Sequence, residues 1–238
     1  MTFLKKFIGD KAFYKMAIKV TLPIMLQNLI TNFVSLLDNL MVGNLGTEQM
    51  SGVSIVNQLL FIFNLAIFGA AHANKRRGNR VITSAVEHPS VMKAFDRLEN
   101  EGFEVIRIPT DKKGFIDIAG LEAAVNENTV LISIMAVNNE IGTINPINQI
   151  KTALRRVNSQ ALIHVDAIQG FGKLPVKPAK MGIDLLTVSG HKVHAPKGVG
   201  ALYVSKNAKN IKPVIFGGGQ ENALRSGTEN TYFVLFHS

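Results

Sequence analysis

Asp184-Leu185-Leu186-Thr187-Val188-Ser189-Gly190-His191-Lys192 is the stretch that decides how this chain is read. Its first five residues have the length and side chains of a buried strand. A turn of small residues follows directly and presents a hydroxyl, an imidazole and an amine within four positions, Ser189 to Lys192. A lysine amine held in a pocket is a nucleophile toward carbonyl groups.

Outward from this stretch the chain alternates strands and helices. Arg80–Ser84, Phe103–Ile108, Val130–Val137, Ala161–Val165 and Gly200–Ser205 read as further strands. Between them, His88-Pro89-Ser90 opens a helix whose Val91, Ala94, Phe95 and Leu98 fall on one face. Asp117–Val125 and Pro146–Val157 read as two more helices. Alternation of this kind predicts an α/β fold with a mainly parallel sheet and flanking helices on both faces. Ligands of such sheets sit beyond the carboxyl ends of the strands.

Polar residues gather at those ends. Glu87-His88 follow the first strand, Asn138-Asn139-Glu140 the long one, Asp166 and Gln169 the next, and Ser189, His191 and Lys192 the opening stretch. A single cluster of this type is a cap or a turn. Four of them at one end of the sheet are better explained by one shared site. The set has the chemistry that pyridoxal 5′-phosphate (PLP) requires. Lys192 can bind the aldehyde, and Asp166 can pair with the protonated pyridine nitrogen, which keeps the ring an electron sink. His88 can stack on the ring, Asn139 and Gln169 can donate to its hydroxyl oxygen, and Ser189 and His191 can hold phosphate. His164 reads as a packed strand histidine. No metal site is expected, because no His/Asp/Glu spacing is typical of one.

Several segments carry a resemblance to a known family. They are Val86-Glu87-His88, Val137-Asn138-Asn139-Glu140-Ile141-Gly142, His164-Val165-Asp166-Ala167-Ile168-Gln169, Ser189-Gly190-His191-Lys192, Pro196-Lys197-Gly198-Val199-Gly200 and Leu224-Arg225-Ser226-Gly227-Thr228-Glu229-Asn230. In order and spacing they resemble a NifS/IscS-type cysteine desulfurase of the class V aminotransferase family, over residues 64–230. The resemblance implies the large domain of the fold type I PLP-dependent transferases, in part, with Lys192 and His88 catalytic. It also implies that Thr228 reaches the phosphate of the partner subunit in a homodimer. L-cysteine is the family's substrate. Its sulfur goes to an iron–sulfur cluster scaffold or another acceptor, and the setting is cytoplasmic.

The first third differs in kind. Val20–Leu37 and Gln49–Ala71 carry no charge, and each is long enough to cross a bilayer as a helix. Lysines before the first and the cluster Lys75-Arg76-Arg77-Gly78-Asn79-Arg80 after the second predict a transmembrane hairpin with both ends in the cytoplasm. Ala17–Leu26 and Leu37–Gly46 resemble the start of multidrug and toxic compound extrusion (MATE) transporters, over residues 1–69. The expected domains are a two-helix membrane segment at 1–71, an incomplete PLP-binding domain at 72–230 and an unmatched tail at 231–238.

Composition limits the remaining readings. The 238 residues carry a net charge of +9, but no basic motif interleaved with aromatics, so no nucleic-acid partner is expected. They contain no cysteine, which excludes disulfides and any thiolate chemistry by this chain. The family's phosphate loop, its substrate-binding arginine and its sulfur-accepting cysteine find no counterpart here. The expectation is therefore a desulfurase fragment without turnover. Its alternatives are a MATE-type antiporter segment carrying the α/β part as passenger, and a non-functional chimera. Asn64–Ala70 fits both families, as a junction would.

Overall fold

Strand β3, Thr129–Met135, is buried at every position. A strand covered on both faces must be apolar throughout, and its sequence, TVLISIM, nearly is. In the computed structural model it lies inside a six-stranded sheet of order β2-β1-β3-β4-β5-β6. The other strands are β1 (Arg80–Ser84), β2 (Glu104–Ile108), β4 (Leu162–Asp166), β5 (Leu185–Ser189) and β6 (Gly200–Val204). β1 to β5 are parallel, and β6 returns antiparallel along β5. The structure describes residues 16, 18, 19, 21, 22, 63–157, 159–195, 199–208, 211–214, 217 and 224. The chain divides into two compact units, Met1–Ser54 and Ile55–Ser238, and the sheet belongs to the second.

Neighbouring residues along each strand split between two apolar clusters, as side chains of a pleated strand must. Val81, Leu131, Leu162 and Leu185 join one cluster, and Ile82, Ile132, Ile163 and Leu186 the other. The first is covered by helix α1, which runs through residues 63–74, and by α2 (Pro89–Asn100), through Phe63, Ile67, Val91, Phe95 and Leu98. The second is covered by α3 (Ile118–Ala124) and α4 (Ile147–Arg156), through Leu121, Ile150 and Leu154. A four-residue helix, α5 (Pro178–Met181), ends at Gly182 in the left-handed region at φ 69°. The expected α/β sandwich is thus observed. Its helix starts carry the expected caps: His88 precedes Pro89, and Asp117 accepts from the Gly120 amide at 3.0 Å.

One expectation is corrected. Residues 63–71, read above as the end of a membrane helix, lie in the core of the α/β unit. Phe63 and Ile67 are almost fully buried, and Leu65 nearly so. Each such side chain contributes about 1.5–3 kcal/mol on burial, enough to hold the helix against the sheet. The Phe63 ring meets the His164 ring edge-on at 6.1 Å. Among the described residues no helix is long and apolar enough to cross a membrane. The rest of the expected hairpin, and the tail at 231–238, fall outside the described residues.

Candidate functional site

The carboxyl ends of β1, β3, β4 and β5 bring the predicted polar residues to one edge of the sheet. Asp166 is the last residue of β4 and only 6% exposed. Its register partner on β3 is Met135, which ends that strand. Its Oδ1 accepts from the Ile168 amide at 2.9 Å, which turns the chain sharply after the strand. Burial raises its carboxyl to about 6, against the lowering effect of that bond. Gln169 is half-buried in the turn that follows.

His88 caps α2. Its Nδ1 accepts from the Ser90 amide at 3.2 Å and lies 2.7 Å from the Ser90 hydroxyl. Two donors at Nδ1 put the proton of the neutral ring on Nε2. Burial lowers the pKa of the imidazole, and the positive charge of Lys192 lowers it further; Glu140 opposes both. The amine after β5 is therefore close enough to act on the ring after β1. Asn139, half-buried, donates to Glu140 at 2.8 Å.

A short 3-10 turn, Gly190–Val193, carries His191 and Lys192. The Ser189 hydroxyl and His191 Nδ1 are hydrogen-bonded at 2.7 Å. The turn is pinned at both ends: the Gly190 amide donates to Val199 at 2.8 Å, and the Ala195 amide to Gly190 at 3.0 Å. A side chain at Gly190 would meet the Ala195 methyl and the Val199 carbonyl at 3.0–3.1 Å, a tight fit that favours glycine there. His194 closes the turn at φ 62°, a left-handed conformation that is uncommon outside glycine. Lys192 is exposed on this turn. Thr228 lies outside the described residues.

A cleft of about 890 Å³ lies elsewhere among the described residues. Lys151, Arg155, Lys177 and Lys180 line it, and none of the predicted site residues does. Its basic walls carry no acid and no imidazole, unlike the strand ends.

The aminotransferase class-V family model matches residues 62–233. The chain belongs to the class-V aminotransferase family. A second family model, MatE, matches residues 23–76. Among curated proteins the family domain is 45% identical over 168 residues to a cysteine desulfurase IscS of Clostridium botulinum, covering 71% of this chain and 42% of that protein. It is 47% identical over 172 residues to cysteine desulfurase IscS of Dictyoglomus turgidum, covering 72% and 43%. The chain thus spans less than half the length of these relatives. Among solved structures it resembles a NifS-like protein (TM-score 0.71, 39% identity, 74% of this chain and 48% of that one). It also resembles SspA in complex with cysteine (TM-score 0.67, 42% identity, 74% and 50%). Class-V aminotransferases of the cysteine desulfurase type are PLP-dependent.

Within this class-V aminotransferase domain, two site-edge residues had no role in the sequence reading. Glu87 is buried between β1 and His88, and Asn138 donates to the Val86 carbonyl at 3.1 Å. The pair Glu87-His88, with two residues between it and the end of an apolar strand, was a visible signal for the first. Its partners, Ser84 and Met135, come from two strands and are set only by folding.

Proposed function

We propose that residues 62–233 form a PLP-binding domain of cysteine desulfurase type. The observation that carries this reading is the burial of Asp166 at the carboxyl end of β4, the same sheet edge that carries the exposed Lys192 after β5 and the half-buried His88 after β1. A carboxyl buried to that degree is stabilised as an anion only by a cationic or strongly donating partner, and a pyridinium nitrogen is one. The remaining groups fit the same cofactor: Lys192 to bind its aldehyde, His88 to lie against its ring, Asn139 and Gln169 to donate to its hydroxyl oxygen, and Ser189 and His191 to hold its phosphate. When bound, PLP supplies an electron sink for a carbanion on an amino acid substrate. The two cysteine desulfurase relatives and the cysteine-bound SspA support L-cysteine as that substrate and sulfur transfer to an iron–sulfur scaffold or other acceptor as the family role. A homodimer, with Thr228 serving the partner's phosphate site, belongs to the same reading.

The 238 residues supply no thiolate, so sulfur has no acceptor within this chain. The domain is expected to hold the cofactor without desulfurating cysteine. Titration with PLP should raise a visible absorption band in the wild type and none in Lys192→Ala, and neither protein should release sulfide from cysteine. A wild type that folds and shows no band ends the cofactor reading. Sulfide release that depends on Lys192 ends the reading of inactivity.

The MatE match over residues 23–76 supports a second reading, in which the segment before the α/β unit anchors the chain in a membrane. A junction between two unrelated coding sequences fits the overlap of the two family matches at residues 62–76.

A further inference from the structure

Glu87 is 6% exposed and has no part in the roles given above. Its Oε1 accepts two hydrogen bonds, from the Ser84 hydroxyl at 2.5 Å and the Met135 amide at 3.0 Å. Its Oε2 is buried and has no partner among the described residues. An ionised carboxylate would leave charge on that bare oxygen inside the protein, at high cost. A neutral acid avoids this: the carbonyl oxygen takes both donors and the hydroxyl oxygen is left with no net charge.

The two donors come from different strands. Ser84 ends β1, and Met135 ends β3, where it is the register partner of Asp166. Asn138 adds a second tie from beyond β3 to the Val86 carbonyl. The turn that delivers His88 is therefore fastened on both sides of Glu87. Resting on the reading of this edge as a cofactor pocket, we infer that Glu87 is a positioning residue: as a buried neutral acid it fastens the Val86–His88 turn to the end of β3 without adding a second negative charge next to Asp166.

Electrostatics agree with this geometry. Burial raises the Glu87 carboxyl to about 8; the bonds from Ser84 and Met135 oppose the rise, and Asp166 adds to it. The charged groups around the turn are Asp166 from β4, and Lys192 and Glu140, which act on His88. The folded pKa lies above the usual 4.5. The stability contributed by the neutral form is thus complete below about pH 4.5 and is lost as pH rises through about 8.

Glu87→Gln keeps the acceptor and cannot ionise; Glu87→Ala removes both. In the full chain without cofactor, infrared spectra at about pH 7 should show a protonated-carboxyl band that Glu87→Gln abolishes and that fades in the wild type above about pH 8. The Met135 amide should stay protected from hydrogen exchange in Glu87→Gln and lose protection in Glu87→Ala. With PLP added, the dissociation constant should change less than about threefold in Glu87→Gln and rise about tenfold or more in Glu87→Ala, the scale of a lost buried hydrogen bond. Wild-type binding should weaken above about pH 8, and Glu87→Gln binding should not. Absence of the band overturns the neutral acid. Unchanged Met135 protection in Glu87→Ala, or a Glu87→Gln variant that binds PLP tenfold more weakly than wild type, overturns the positioning role. If Glu87→Ala does not fold, Glu87→Gln alone decides. A wild type that binds no PLP defeats the cofactor reading, while the infrared and exchange results still settle the state of Glu87.

Discussion

Asp166 and His164 sit two residues apart on one strand and face opposite demands. Asp166, at the strand end, lies on the edge of the sheet that carries the proposed site. His164, inside the sheet and fully buried, makes a polar row with Ser133 (Nδ1 to Oγ, 2.7 Å) and Thr187 (Nε2 to Oγ1, 3.3 Å). The sequence placed His164 on a strand and Asp166 just beyond its end, which separated their roles; in the structure Asp166 is the strand's last residue. The sequence did not reveal the row, because Ser133 and Thr187 arrive from neighbouring strands through the register. Burial lowers the His164 pKa to about 3. A depressed histidine contributes stability that is present above its usual value near 6.5 and is lost as pH falls toward 3. Between about pH 7 and 5 the wild type should lose about 2 kcal/mol of stability that His164→Gln does not lose. Urea denaturation of both proteins at the two pH values measures this; parallel losses would refute it. Glu87 and Asp166 act with the opposite sign, since both carboxyls are raised by burial.

At the scale of elements, helix α1 is the instructive case. Residues 49–71 carry no charge, and a membrane and a protein core select the same side chains. Hydropathy alone does not separate the two environments. Packing does: Phe63 lies in the same cluster as Phe95, Leu131 and Leu185. Phe63→Ala should therefore lower the stability of the α/β unit by about 3–5 kcal/mol, the usual cost of an aromatic cavity. The midpoint of its cooperative chemical unfolding reports the change. An unaltered midpoint would mean that α1 does not belong to this core. The other elements were legible because their signals are local. The apolar face of α2 repeats at helical spacing, and Pro89 and Asp117 mark helix starts. The antiparallel return of β6 was not legible, since strand direction depends on which neighbour it meets.

For the whole molecule, the chain divides into two compact units, Met1–Ser54 and Ile55–Ser238, at a point earlier than the expected domain boundary at 71/72. The overlap of the family matches at residues 62–76 falls on α1, whose buried side chains assign it structurally to the α/β unit. If the segment before it anchors the chain, the full-length protein should sediment with membranes and remain there through an alkaline carbonate wash. Recovery of folded protein in the soluble fraction would end the membrane reading and leave the cofactor reading intact.

The sequence by itself determined the α/β class, the strand ends that bear polar residues, and the turn that presents Lys192, because each depends on local periodicity and on which residue follows a strand. It also determined that this chain brings no thiol to its site. Only the tertiary structure decided that residues 63–71 are core, that Asp166 is buried beside the end of β3, and that Glu87 joins β1 to β3 with one oxygen left bare. Those facts depend on strands distant in sequence meeting in a particular register, and burial, which sets the charge of both carboxyls, exists only once they have met.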